Sequence, residues 1–256
     1  MGTVRRLADP LLCVSKVCKR FGNVEALGDV DVTLKEGTIH GIVGPNGAGK
    51  TTLLNVISGY LLPGSGRVEL YGRDVTRLTP QQRVPLGVVR TFQNIRLFGG
   101  LTVLENVLLG QHCRARTGMR SLLPFRTPAD KQLLASAEHS LELFDLLPYR
   151  KRRAAELPYG VQKELEMARA LAARPSVLLL DEPAAGMTSE GRDSLSRRFL
   201  KLREEGLSIL VVEHDMEIIG RVCDEVTVLN FGRKLTEGPT ADVLTSDEVR
   251  TAYLGN

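Results

Sequence analysis

The segment Gly44-Pro45-Asn46-Gly47-Ala48-Gly49-Lys50-Thr51 constrains this chain more than any other. It fits G-x-x-x-x-G-K-[ST], a pattern that a chain of this length meets by chance about 1% of the time. Its surroundings agree. Ile39 to Val43 is a short apolar run that reads as a buried strand, and Lys50 to Tyr60 reads as a helix with Leu53, Leu54 and Ile57 on one face. A glycine loop between strand and helix turns main-chain N–H groups inward, where a β-carbon would obstruct them. The helix N-terminus adds positive potential. Together these features describe a cradle for phosphates. Lys50 brings a charge to the β- and γ-phosphates of a nucleotide, and the Thr51 hydroxyl is a ligand for Mg²⁺. The expected binding set is Gly44, Pro45, Asn46, Gly47, Ala48, Gly49, Lys50, Thr51 and the adjoining Thr52.

The other half of such a site lies downstream. Val177-Leu178-Leu179-Leu180 is an apolar run that ends in Asp181-Glu182. A buried strand ending in two acids puts carboxylates at the carboxyl edge of a parallel sheet, where such folds bind ligands. Asp181 is expected to hold Mg²⁺, directly or through water. Glu182 is expected to orient or deprotonate the attacking water. Three more residues fit the same site. Gln93, read as ending a strand, reaches the metal or the water. His214 follows Ile209 to Glu213 and reaches the γ-phosphate. Phe21, read as lying just after the first strand, offers adenine a stacking surface.

Along the chain, Leu11 to Lys19, Val30 to Leu34, Arg67 to Tyr71 and Val88 to Phe92 read as strands, with a turn at Pro63-Gly64-Ser65-Gly66. From about Leu101 to Ala173 the pattern turns helical. Thr102 with Glu105 makes a capping box, and Ala129 to Leu147 carries Leu133, Ala137, Leu141 and Phe144 at helical spacing. Strands return at Val177 to Leu180, Ile209 to Val212 and Val226 to Leu229, with a helix over Ser189 to Glu205. The expected fold is α/β, with a mixed-sheet core interrupted by a helical insertion.

Composition narrows the function classes. Lys plus Arg is 34 against 30 for Asp plus Glu, a net charge of +4, and aromatics are 5% with no Trp. That charge is too small by itself to argue for nucleic acid, and so few aromatics do not favour a stacking platform for it. Cys13, Cys18, Cys113 and Cys223 form no C-x-x-C pair, so a disulfide framework or zinc site is not expected. The apolar stretches are too short to span a bilayer, and Met1 to Asp9 lacks the pattern of a signal peptide.

Leu157-Pro158-Tyr159-Gly160-Val161-Gln162, ahead of Glu164-Leu165-Glu166-Met167-Ala168-Arg169-Ala170, resembles the signature sequence of ATP-binding-cassette (ABC) ATPases. The order of phosphate loop, Gln93, signature, Asp181-Glu182 and His214 matches that family over nearly the whole chain. The resemblance implies a P-loop NTPase of ABC type: a nucleotide-binding core of residues 1–93 and 176–256, and a helical subdomain of residues 94–175. It implies ATP and Mg²⁺ as ligands. It also implies a head-to-tail dimer with a second ATP-binding subunit, each ATP lying between one subunit's phosphate loop and the other's Tyr159-Gly160. Glu182, His214 and Gln93 become the catalytic set, and Thr51, Gln93 and Asp181 the metal-binding set.

Arg90-Thr91-Phe92-Gln93-Asn94-Ile95-Arg96-Leu97-Phe98, Thr102 to Val107, Asp181-Glu182-Pro183-Ala184-Ala185-Gly186 and Ala252-Tyr253-Leu254-Gly255 are similar to ATPases of branched-chain amino acid importers. Urea-type importers and lipopolysaccharide-export ATPases share parts of this pattern, and soluble ABC ATPases are a further alternative. The resemblance implies two transmembrane permease subunits as partners, an extracytoplasmic solute-binding protein acting indirectly, and a peripheral place on the cytoplasmic face of the membrane. Leu97 and Phe98 are expected in an apolar docking patch for the permease. The basic stretch Gln111 to Ala129, with Arg114, Arg116, Arg120 and Arg126, reads as a solvated loop, with anionic lipid or permease loops as the other reading. The chain departs from the family pattern at Pro158, where Ser is usual, at Tyr159, at Val161, and at Thr188, where Asp is usual.

Overall fold

The computed structural model describes residues 10–111 and 128–254; Cys113, Gly255 and the four arginines of the basic stretch lie outside them. Two sheets organise the chain. The first is antiparallel, in the order β2-β1-β4-β5, formed by β1 (Pro10–Phe21), β2 (Val24–Lys35), β4 (Ser65–Leu70) and β5 (Arg73–Asp74). The second has β3 (Ile39–Val43) at its centre, in the order β10-β9-β3-β8-β7-β6. Its members are β6 (Val88–Arg90), β7 (Val177–Asp181), β8 (Ser208–Val212), β9 (Glu225–Asn230) and the edge strand β10 (Arg233–Pro239), which alone runs antiparallel. The sequence reading sees strands of both kinds but does not separate these two sheets.

The second sheet is mixed only through its antiparallel edge strand β10, and its parallel strands are covered on both faces. Their side chains alternate between two apolar clusters. Ile39, Val43, Leu178, Leu180, Ile209 and Val211 enter one, and Ile42, Val177, Leu179, Leu210 and Val212 enter the other. That period-2 split is why the strands read as continuous apolar runs rather than polar alternations.

The helices are α1 (Lys50–Ile57), α2 (Pro80–Arg83), α3 (Val103–Gly110), α4 (Pro128–Glu142), α5 (Tyr159–Ala172), α6 (Ser189–Glu204), α7 (Met216–Val222), α8 (Thr240–Thr245) and α9 (Asp247–Leu254). The expected capping box opens α3: Thr102 Oγ1 accepts from Glu105 N at 3.2 Å, and Glu105 Oε2 accepts from Thr102 N at 2.7 Å. No helix among the described residues is long and apolar enough to cross a membrane.

Several boundaries shift from the sequence reading. α1 stops at Ile57 because Gly59 turns left-handed (φ 81°) with Leu78 O close against it. α4 ends at Glu142, not Leu147, because Asp145 is left-handed (φ 54°) and Leu146 N bonds back to Leu141 O at 2.8 Å. β1 runs on to Phe21, so that residue ends the strand rather than following it. β6 stops at Arg90, which leaves Gln93 in the following loop rather than at a strand end.

Parallel register is what assembles a site. Arg90 pairs with Leu179, Asp181 with Val212, and Ile42 with Val212. The carboxyl ends of β3, β6, β7 and β8 therefore lie side by side, and the loops leaving them share one edge.

Candidate nucleotide site

The phosphate loop leaves β3 and enters α1. A β-carbon at Gly44 would stand 2.2 Å from Leu229 O, and one at Gly49 2.6 Å from Ala26 O. Gly49 is also left-handed, at φ 98°. Only glycine fits either place. No side chain caps α1, which leaves its N-terminus, with the positive end of the helix dipole, open to an anion. Lys50 is buried, and its Nζ donates to Gly44 O at 2.6 Å and Pro45 O at 2.9 Å. Burial lowers the Lys50 pKa, while Glu182 and then Asp181 act in the opposite sense. Asn46, Gly47 and Thr51 are exposed, Pro45 and Thr52 half-buried, and Ala48 buried, its N–H donating to Pro45 O at 3.1 Å.

Asp181 closes β7, and its Oδ2 accepts from Arg90 Nη2 at 2.8 Å. Glu182 follows in a left-handed conformation, φ 47°, unusual for a residue with a β-carbon. Its Oε2 accepts from Gln93 Nε2 at 2.8 Å, and His214 Nδ1 stands 4.0 Å from Oε1. His214 is 60% exposed, so its ring faces solvent and any arriving ligand. The structure thus brings Glu182, Gln93 and His214 together. The side chains of Thr51, Gln93 and Asp181 carry hydroxyl, amide and carboxylate oxygens, donor types that would suit a hard cation. Because the Gln93 Nε2 is engaged by Glu182, its carbonyl oxygen is the atom left to a metal.

Phe21 is half exposed at the end of β1, with Lys19 Nζ 5.5 Å from its ring centre. Tyr159 and Gly160 are exposed at the start of α5, and among the described residues no hydrogen bond joins them to residues 44–52. Pro158 is the N-cap of α5 (φ −56°, ψ 150°), one place earlier than a first-turn residue, so the helix starts without losing an internal donor. Thr188, the other departure, caps α6 by accepting from Gly191 N at 3.2 Å.

Sequence reasoning assigns no role to Arg90, Lys163 or Glu213, all of which touch this site. Arg90 had a visible signal, a charge ending an otherwise apolar run. Lys163 and Glu213 read as ordinary charges of a helix and a loop, although both are buried.

Residues 27–185 match the family model described as ABC transporter. The chain is 38% identical over 254 residues to the high-affinity branched-chain amino acid transport ATP-binding protein BraF of Pseudomonas aeruginosa, covering 97% of this chain and 99% of that one. It is similar to the ADP conformation of an ATP-binding cassette of an ABC transporter, with TM-score 0.85, 32% identity, and 97% and 100% of the two chains covered. A dimeric bacterial ABC transporter cassette is similar at TM-score 0.76 and 27% identity, covering 90% and 98%. On motif order, site geometry and these likenesses, the chain belongs to the ABC transporter family, as one of its ATP-binding cassettes.

Proposed function

We propose that this chain is the ATP-hydrolysing subunit of an importer for branched-chain or other hydrophobic amino acids. The observation that carries the catalytic part is the meeting of Glu182, Gln93 and His214 at the sheet edge that also bears the phosphate loop. The substrate class is supported by the relative's name together with near-complete coverage of both chains.

Main-chain N–H groups of residues 46–52 and the Lys50 ammonium bind the β- and γ-phosphates, and Phe21 stacks on adenine. Lys50 exchanges the loop carbonyls it now holds for phosphate oxygens. A water oriented by Glu182 and Gln93 attacks the γ-phosphorus. The bond to the bridging oxygen breaks, ADP leaves, and Glu182 receives the water's proton. His214 donates to the γ-phosphate. Thr51, Gln93 and Asp181 would hold Mg²⁺, which neutralises phosphate charge.

Tyr159 and Gly160 complete the site of a second cassette in a head-to-tail dimer, with the N-terminus of α5 aimed at the other subunit's γ-phosphate. The likeness to a dimeric bacterial ABC transporter cassette supports that reading. The division into residues 1–93 with 176–256 and a helical subdomain of 94–175 separates the part that binds nucleotide from the part that presents α5. Two permease subunits hold the dimer at the cytoplasmic face of the membrane, and the solute-binding protein acts through them. Co-expression with the permeases and uptake of labelled leucine into vesicles tests the assignment. ATP-dependent uptake that is lost with Lys50→Ala supports it; a complex that hydrolyses ATP but carries no hydrophobic amino acid refutes the substrate class.

A further inference from the structure

The turn after β7 is gripped from two sides by buried charges that the proposed chemistry does not use. Lys163, on α5, is 5% exposed, and its Nζ donates to three main-chain carbonyls of that turn. Ala185 O lies at 2.7 Å, with Glu182 O and Pro183 O each at 3.4 Å. Glu213, just past β8 and fully buried, meets the turn from the sheet side. Its Oε1 accepts from Ala184 N at 2.9 Å and its Oε2 from His214 N at 3.2 Å. The turn is also anchored by Glu182 N, which donates to Val212 O at 2.9 Å.

These contacts surround the one strained residue of the site. A left-handed backbone at a residue bearing a β-carbon persists only where its surroundings over-determine it. Burying a charge is costly unless its hydrogen bonds are met, and both charges meet theirs on this turn and the His214 N–H beside it. Burial pushes the Lys163 pKa down and the Glu213 pKa up, as expected of ions held out of water.

We propose that Lys163 and Glu213 are positioning residues that clamp the Glu182–Ala185 turn and so aim the Glu182 carboxylate at the attacking water. The proposal rests on the reading of Glu182 as the base. Lys163 is one helical turn from Gly160, so the clamp also ties the exposed start of α5 to the hydrolysing carboxylate. A shift of α5 against the sheet changes the grip on Glu182.

The test is a double-mutant cycle on the full-length chain, read by single-turnover ATP hydrolysis and by binding of a fluorescent nucleotide. Lys163→Met keeps the stem and removes the charge. It should lower the hydrolysis rate by about 10²-fold, the scale of a displacement of roughly 1 Å, with nucleotide affinity nearly unchanged. Lys163→Arg should recover much of the rate. In the Glu182→Gln background Lys163→Met should add no further loss, because residues acting as a unit are not additive. A near wild-type rate for Lys163→Met overturns the clamp, as does a loss that multiplies with that of Glu182→Gln. If Glu182→Gln itself hydrolyses normally, the base assignment falls and the clamp with it. Should Lys163→Met not fold, Glu213→Gln serves with hydrogen exchange at the Ala184 amide. Faster exchange with a lowered rate is expected; an unchanged rate overturns the proposal.

Discussion

The Arg90 guanidinium and the Asp181 carboxylate form an ion pair closed off from solvent: Nη2 stands 2.8 Å from Oδ2, with the side chains 5% and 7% exposed. Arg90 Nη1 also donates to Asn55 Oδ1 at 2.6 Å and Ser58 Oγ at 3.0 Å on α1. One side chain on β6 thereby fixes the acid that ends β7 and the helix that the phosphate loop opens.

Removing one partner of such a pair leaves the other buried and uncompensated, at a cost of about 3–5 kcal/mol. Arg90→Met should therefore lower the thermal midpoint by roughly 6–20 °C, at about 2–4 °C per kcal/mol for a chain of this size. Scanning calorimetry checks this. A change of only a degree or two would show that solvent reaches the pair.

The capping box of α3 gives a pH dependence. The Thr102 main-chain N–H, then its hydroxyl, hold the Glu105 carboxyl below the usual glutamate range. The folded chain therefore binds fewer protons at Glu105 than the unfolded chain does. The stabilisation is present above the ordinary glutamate value and is lost as the pH falls through the folded one. At neutral pH, Glu105→Gln should melt below the wild type, and the difference should shrink in acid. Thermal melts of both proteins across that range decide it; a constant difference contradicts the linkage.

Phe98 is 57% exposed, while Leu97 packs partly against the core. The two therefore do not form one exposed apolar pair, and the docking patch expected from the sequence would rest on Phe98. Phe98→Ser should change stability by no more than about 0.5 kcal/mol, as for other exposed positions. The same substitution should weaken capture of the permease subunits on co-purification. A large fall in the thermal midpoint, with permease capture intact, contradicts this.

Pro158 supplies neither a hydroxyl nor an N–H to a phosphate. Pro158→Ser in the Glu182→Gln background should strengthen ATP-driven dimerisation. One charge-assisted hydrogen bond is about 1.5–3 kcal/mol, or roughly 10- to 150-fold per site. Light scattering across an ATP titration compares the two proteins. An unchanged dimer would show that backbone, water or Tyr159 already satisfies the phosphate.

Much of the site is legible in the sequence because its chemistry is local. The phosphate loop is a run of eight residues, and Asp181-Glu182 ends a run whose side chains fill both apolar clusters. The helix from Ser189 and the capping box at Thr102 are likewise signalled by neighbours in the chain. What stays hidden depends on pairings between distant segments. The separation into two sheets follows from β1 pairing with β4 and from β3 lying between β8 and β9. The roles of Lys163 and Glu213 are set by a turn 19 or more residues away. No local pattern in a helix distinguishes a lysine that faces water from one that holds three carbonyls.

The central claim is that Glu182 drives hydrolysis at this sheet edge, and it is tested most directly by comparing Glu182→Gln with the wild type in ATP binding and ATP turnover. The substitution keeps the shape and removes the base. Nucleotide binding should be retained while hydrolysis falls by about 10²–10⁴-fold, the range for loss of a general base. Hydrolysis at a near wild-type rate, or a loss of nucleotide binding such as that expected for Lys50→Ala, would contradict the account.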